Sequence, residues 1–277
     1  MLWWELSKRN KHPVIDFNVL KNRDLAGALF LFIALGFGLY GGVFLFPLFT
    51  QNLLHFTPTE TGLTLMPGGL ATAFAAIICG RALNGANPLV DARLLIYIGV
   101  TLFVVAMWRL GHLTVDAGEP EARFALIIRG LGLGFLFTPI NNVAYANLKP
   151  SQAQQASGLI NLARQLGGSF GIAIITTFLD HQVATHRAIL TAYTYVENPQ
   201  WVARQNATVA GLVAKGYSVV QAKQGALAIL DQSVMRQATM LSYNDAWMLI
   251  LGTFILIAPA ILILRRPKGH APVGDAH

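Results

Sequence analysis

The chain has 277 residues, 54% of them hydrophobic and only 12% charged, with a net charge of +7 and a mean hydropathy of +0.52. A soluble domain carries about 25% charged residues, so a water-facing surface of ordinary size is excluded. Most of the positive charge lies at the ends of apolar runs rather than on one polar face, a distribution set by membrane topology and not by nucleic-acid binding.

In chain order, residues 1–25 form a polar segment with five cations, Lys8, Arg9, Lys11, Lys21 and Arg23, and no apolar core of a signal peptide. Five long apolar runs follow at 26–49, 61–80, 94–111, 124–148 and 156–179, and a sixth at 246–264. Crossing a bilayer takes about 20 helical residues, so all six predict membrane spans. Pro67 and Pro139 let the second and fourth bend. The single cysteine, Cys79, lies inside the second run, so no disulfide framework exists. The predicted organisation is therefore a cytoplasmic lead-in at 1–25, five spans within 26–179, an extracytoplasmic loop at 180–245, a sixth span at 246–264 and a cytoplasmic tail at 265–277. Eleven Lys and Arg fall on the side of the termini. Only Arg109 and Arg123 fall in the short loops opposite. Both termini are thus predicted to be cytoplasmic.

The outer loop carries its own helix signal. Ser218 and Gln221 have the spacing of a capping box. Val219, Val220, Ala226, Leu227, Leu230, Val234, Ala238 and Leu241 recur at helical spacing. The stripe predicts a helix lying on the membrane or on the rest of its own chain, or else a docking surface for an extracytoplasmic partner.

Spans 4 and 5 are the informative ones. The stretch "LIIRGLGLGF" at 126–135 places Arg129 in an apolar, glycine-rich run. A charge at the bilayer centre costs about 2.5–3.5 kcal/mol on insertion scales, so Arg129 is expected to snorkel toward the outer interface or to lock helices together. Arg164 lies deeper in span 5 and predicts a buried structural or gating contact. At 100° per residue, Gly130, Gly134, Thr138, Asn141 and Tyr145 share one face of span 4. Gly158, Asn161, Gln165, Ser169 and Thr176 share one face of span 5. Lipid gives nothing to such stripes, so each is expected to face protein or a water-filled cavity. Thr138, Asn141, Asn161, Gln165 and Thr176 are the candidate cavity residues.

No catalytic constellation appears. Gly130, Gly132 and Gly134 lack the strand that a nucleotide-binding fingerprint requires. His181, His186 and Asp180 offer only a weak extracytoplasmic metal site. No enzyme activity, cofactor or metal is predicted.

Three stretches carry a family resemblance: "GRALNGANPLVDARLL" at 80–95, "IIRGLGLGFLFTPINNVAY" at 127–145 and "GLINLARQLGGSFGIAIITT" at 158–177. The first resembles a degenerate cytoplasmic loop signature between the second and third helices of a major facilitator half. The second resembles the family's fourth-helix arginine motif. The third, with its "RQLGGSxG" core, is the most specific and is similar to the next helix. The whole chain resembles the C-terminal half of a fourteen-helix drug–proton antiporter of the EmrB/QacA type. The resemblance implies an all-α integral membrane fold, six transmembrane helices forming the C-terminal bundle of a major facilitator. It also implies proton-coupled export of hydrophobic small molecules by alternating access, in a bacterial inner membrane. It puts Arg129, Arg164, Arg81, Asp91 and Arg93 among gating or structural residues, and makes spans 1, 2, 4 and 5 line the cavity. The implied partners are an N-terminal half or a second copy, a periplasmic adaptor with an outer-membrane channel, the substrate and protons. The competing expectation is a non-transporting scaffold that binds a partner through its outer helix.

Overall fold

The structure is a computed structural model that describes residues 23–83, 90–114, 119–145, 150–194 and 198–263. Positions 1–22 of the lead-in, the centre of the 80–95 loop signature, Lys149 and the 265–277 tail lie outside the described residues. Among the described residues there are seven α-helices and no strand: α1 Arg23–Asn52, α2 Pro58–Leu83, α3 Ala92–Leu110, α4 Glu119–Tyr145, α5 Pro150–Ala192, α6 Pro199–Ala214 and α7 Val219–Ile257. A 3-10 segment, Ala258–Ile263, follows α7. All but α6 are long and apolar enough to cross a bilayer, so the fold is all-α with six candidate spans, as the sequence predicts.

Local chemistry sets the helix starts. At α2, the Thr57 hydroxyl accepts from the Glu60 amide at 3.3 Å, and the Glu60 carboxylate accepts from the Thr57 amide at 2.7 Å. Pro58 occupies the first helical turn, where its missing N–H costs nothing. Asp91 caps α3 by accepting from the Arg93 amide at 3.1 Å. Asn198 does the same for α6. Gly216, at φ +93°, turns the chain between α6 and α7, a conformation glycine adopts without strain. The capping box at α7 is present in both directions. Ser218 Oγ accepts from the Gln221 amide at 3.3 Å, and Gln221 Oε1 accepts from the Ser218 amide at 3.2 Å. Ser218→Ala is expected to cost about 1 kcal/mol locally. Faster hydrogen exchange at the first α7 amides, with no change in the membrane portion, is the measurement; unchanged exchange at those amides would remove the cap's role.

Two helices run farther than the loop boundaries at 180 and 245 imply. Helix α5 continues without a break to Ala192, and α7 runs from Val219 through the sixth apolar run to Ile257. The 180–245 segment is therefore built from helical extensions of two spans plus α6. Its contacts are polar and specific. Asp245 of α7 accepts from Gln182 Nε2 at 2.7 Å and pairs with His186 Nε2 at 2.7 Å. Arg187 pairs with Asp231 at 3.2 Å. The α7 stripe is only half inward: Ala226, Leu230 and Ala238 are buried together with Ala222, whereas Val219, Val220 and Leu227 are exposed. Their neighbours α5 and α6 cover one side of α7 and leave the other open.

Within the membrane, α4 is enclosed by three helices, and the stretch that raises the arginine question shows how. Gly130 and Gly134 lie against α2, where a Cβ would strike the Gly68 carbonyl and the Thr72 carbonyl. Gly132 lies against α3, where a Cβ would stand 2.8 Å from the Phe103 amide nitrogen. Arg129 points to α1. Helix α1 in turn lies along α5, with Gly167 on the Ile33 carbonyl and Gly36 on the Arg164 carbonyl. Small residues let backbones approach this closely, which in lipid supplies the packing energy that water would otherwise drive. Helix α7 closes the far side: Phe254 stacks on Phe103 at 4.1 Å above Gly38, and Tyr243 meets Phe49 at 5.4 Å.

Burial is uneven in a way that matters for function. The apolar windows of α1 and α4 are 61% and 56% buried, those of α2 and α5 only 22% and 28%. Helices α2 and α5 thus carry the widest open faces of the bundle.

Candidate functional site

Helices α4 and α5 scarcely touch, although each packs on α1. A groove therefore separates them with α1 as its floor. Arg164 of α5 reaches across it. Its guanidinium carbon lies 5.2 Å from the centroid of the Phe137 ring on α4, and its Nη2 donates to Asn161 Oδ1 one turn earlier on α5. Phe137 is held in turn by an edge-on contact with Phe32 of α1 at 6.2 Å. Nε of Arg164 is buried with no hydrogen-bond partner, and no carboxylate among the described residues pairs with this side chain. The backbone of Arg164 lies on Gly36, eleven residues along α1 from Leu25, or about 16 Å at 1.5 Å per residue. That is well inside the candidate span Leu25–Asn52.

The open face of α5 has two adjoining stripes. Asn161, Gln165 and Ser169 form a polar one, and Leu162, Leu166 and Phe170 form an apolar one; all six are exposed. Thr176 belongs to the same helix but lies about 16 Å beyond Gln165, and its hydroxyl donates to the Ile172 carbonyl at 2.9 Å.

The span 4 stripe has a different fate. Its Gly130 and Gly134 end seals against α2, so there it is a helix contact rather than a cavity wall. Thr138 and Asn141 continue that face, half-buried, and Asn141 Nδ2 donates to the Phe137 carbonyl of its own helix at 2.8 Å. The structure thus brings Asn161 and Arg164 together and adds Phe137; Gln165 lies beside them on the exposed stripe of α5, and among the described residues Thr138, Asn141, Gln165 and Thr176 make no hydrogen bond to Asn161 or Arg164. Nothing in the sequence distinguishes Phe137 from other aromatics in span 4. The glycines of α1 at 36–42 had a legible signal, since four small residues in seven positions mark a close contact.

Arg129 departs from the snorkelling expectation. It is only 4% exposed, level with the middle of α1, and its Nη2 donates to the Leu39 carbonyl at 3.3 Å. A Cβ on Gly42 would stand 2.7 Å from that guanidinium nitrogen, so Gly42 makes the space Arg129 occupies. The helix-locking expectation fits this geometry; retreat to the interface does not. Arg81 is exposed in the last turn of α2, and Asp91 serves as the α3 cap. His186 pairs with Asp245 rather than with His181, and no group of three potential metal ligands occurs among the described residues.

Six packed apolar helices long enough to cross a bilayer, with an arginine at the groove between two of them, make this a multi-pass membrane protein. Residues 5–172 match the Major Facilitator Superfamily, and the chain belongs to that family. It is 26% identical over 270 residues to the Multidrug export protein EmrB of Escherichia coli K12, covering 97% of this chain and 50% of that protein. It is 26% identical over 272 residues to the Colistin resistance protein EmrB of Acinetobacter baumannii, 97% of this chain and 51% of the relative. It is also 26% identical over 273 residues to the Fatty acid resistance protein FarB of Neisseria gonorrhoeae, 98% of this chain and 50% of the relative. The chain spans about half the length of the curated relatives it matches.

Proposed function

We propose that the chain is the C-terminal half of a proton-coupled multidrug efflux transporter, working by alternating access against a second six-helix unit in the bacterial inner membrane. The observation that carries this reading is the pair of open faces on α2 and α5, beside a groove that holds a cation and two amides within the membrane. The half-length match to EmrB-type relatives supports a missing partner for those faces. Asn161, Gln165 and Arg164 line the pathway. Arg129 and the Asp91 cap hold helices in place.

The described stretches 25–52, 61–83, 92–110, 122–145, 153–179 and 246–263 contain no Asp or Glu. Proton coupling needs a group that gains and loses a proton, for which a carboxylate is the usual choice. In this reading the coupling carboxylate therefore belongs to the partner half. Both termini are cytoplasmic, and the α5–α6–α7 projection lies outside, where it is available to a periplasmic adaptor. The relatives' names point to different cargoes, so they do not choose one for this chain.

The test is dye efflux from energised vesicles containing this chain with its other half. Efflux is expected to require an inward-directed proton gradient and to fall by about tenfold in Gln165→Ala, with insertion unchanged. Gradient-independent efflux, or full activity in Gln165→Ala, would remove coupling or the groove respectively.

A further inference from the structure

We infer that His186 and Asp245 form a proton-binding site at the end of the bundle where α1 finishes, and that uptake of one proton there fastens α5 to α7. The site lies outside the groove. Only the side of the membrane whose pH it reads rests on the topology proposed above.

Three consecutive residues of α7 tie it to three neighbours. Successive side chains on a helix point about 100° apart, so three in a row reach three directions. Tyr243 meets the Phe49 ring of α1 edge-on at 5.4 Å. Asn244 Nδ2 donates to the Leu113 carbonyl, just past the end of α3, at 3.1 Å. Asp245 Oδ2 accepts from Gln182 Nε2 at 2.7 Å and meets His186 Nε2 at 2.7 Å, both on α5. An aromatic contact and an amide–carbonyl bond are indifferent to pH near neutrality. Of the three ties, the one to α5 holds an imidazole, the group whose charge changes between about pH 5 and 8.

The hydrogen bonds fix where the proton goes. An ionised carboxylate is acceptor-only, so His186 Nε2 carries its hydrogen in either charge state and the added proton sits on Nδ1. Uptake keeps the Nε2 bond and turns it into an ion pair. The two side chains are 22% and 36% exposed, open enough to exchange protons with water. The neighbouring charged or titratable groups are Asp180, His181 and Arg187 on α5, Asp231 and Arg236 on α7 and Arg204 on α6. Arg109 and His112 stand at the end of α3, and His55 follows α1. Arg187 is engaged by Asp231, Arg109 lies over the Phe124 ring, and His112 Nδ1 donates to the Trp108 carbonyl. The carboxylate that meets His186 is Asp245. Helix α5 is unbroken from Pro150 to Ala192, so this tie and the groove residues Asn161 and Arg164 share one rod. That rod is clamped to α1 at Gly167, and the His186 tie is a second clamp about 28 Å farther along. Acid on this side holds the outer part of α5 against α7, and loss of the proton loosens it.

The experiment uses this chain with its other half in nanodiscs. In a Cys79→Ala background, spin labels at Thr191→Cys on α5 and Gln232→Cys on α7, both exposed positions, report the distance between the two arms by pulsed electron paramagnetic resonance. One narrow population is expected at about pH 5.5, and a second, longer one at about pH 8. The longer population is expected to grow by about two- to fivefold, the change a partly exposed ion pair commands. His186→Gln keeps a donor toward Asp245 without a titrating group and is expected to give the same mixture at both pH values. Asp245→Asn is expected to give the loosened mixture at both. Distances that pH does not move in the labelled parent protein overturn the inference, whether or not the variants fold. A pH response that survives in His186→Gln overturns it as well. In oriented proteoliposomes, acid is then applied to one face at a time. A response to acid on the projecting face supports both the site and the topology. A response to acid on the opposite face alone keeps the proton site and overturns the topology.

Discussion

Gly167→Leu is expected to abolish recovery of folded protein, whereas Gly69→Leu and Gly252→Leu leave it intact. At Gly167 the added Cβ would fall on the Ile33 carbonyl, carbonyl carbon and Cα, all backbone atoms of α1. Backbone in the middle of a packed helix cannot step aside as a side-chain end can, so α1 and α5 must separate. Overpacking a core costs about 1–3 kcal/mol, and more when nothing yields. This seam joins α1 to most of α5, so the loss is expected at the upper end, a large fraction of a marginal stability of about 5–15 kcal/mol. At Gly69 and Gly252 nothing stands within 4 Å of an added Cβ, and leucine has the better helix propensity by about 0.8 kcal/mol. The measurement is the monodisperse fraction and thermal midpoint of the detergent-solubilised chain. Equal behaviour of the three variants would mean that α1 and α5 do not approach through their glycines.

The same contrast marks how much the sequence discloses. Six spans, their order and the cap at Ser218 are legible because each depends on composition or spacing within one segment. Which way a stripe faces depends on the helix beside it. Gly130, Gly134, Thr138 and Asn141 share a face by simple rotation, yet the identity of the neighbour, α2, makes the glycine end a seam. On α5 the same kind of stripe remains open, because α4 stands off from it. Phe137 becomes part of the groove only because α1 holds α4 and α5 apart, a long-range fact with no local sign. The continuity of α5 and α7 past positions 179 and 245 is hidden for a different reason. Apolarity ends at the membrane surface, but a helix need not, and pairs such as Gln182 and His186 with Asp245 extend it outward.

Gly42→Val is expected to be nearly as damaging as the change at Gly167, and Arg129→Ala is expected to rescue it. A Cβ at position 42 would stand 2.7–3.1 Å from Nη2, Cζ and Nε of Arg129. The guanidinium is the end of a flexible side chain, and at an exposed site it would swing away. Here it is 4% exposed, its Nε already has no partner, and its Nη2 bond to the Leu39 carbonyl is its one hydrogen bond among the described residues. Any displacement breaks that bond and leaves a charge in lipid or protein without an acceptor, where each group left unsatisfied costs about 1–3 kcal/mol or more. Arg129→Ala alone removes an expensive unpaired cation and opens a cavity, effects of opposite sign, so its midpoint is expected to move little. In Gly42→Val with Arg129→Ala the valine fills part of the space the arginine leaves. The double-mutant cycle should therefore show a coupling of about 2–3 kcal/mol in favour of the pair. Additive losses in the thermal midpoints of the four proteins would mean that Arg129 does not occupy the space above Gly42, and the lock between α1 and α4 would have to be sought elsewhere.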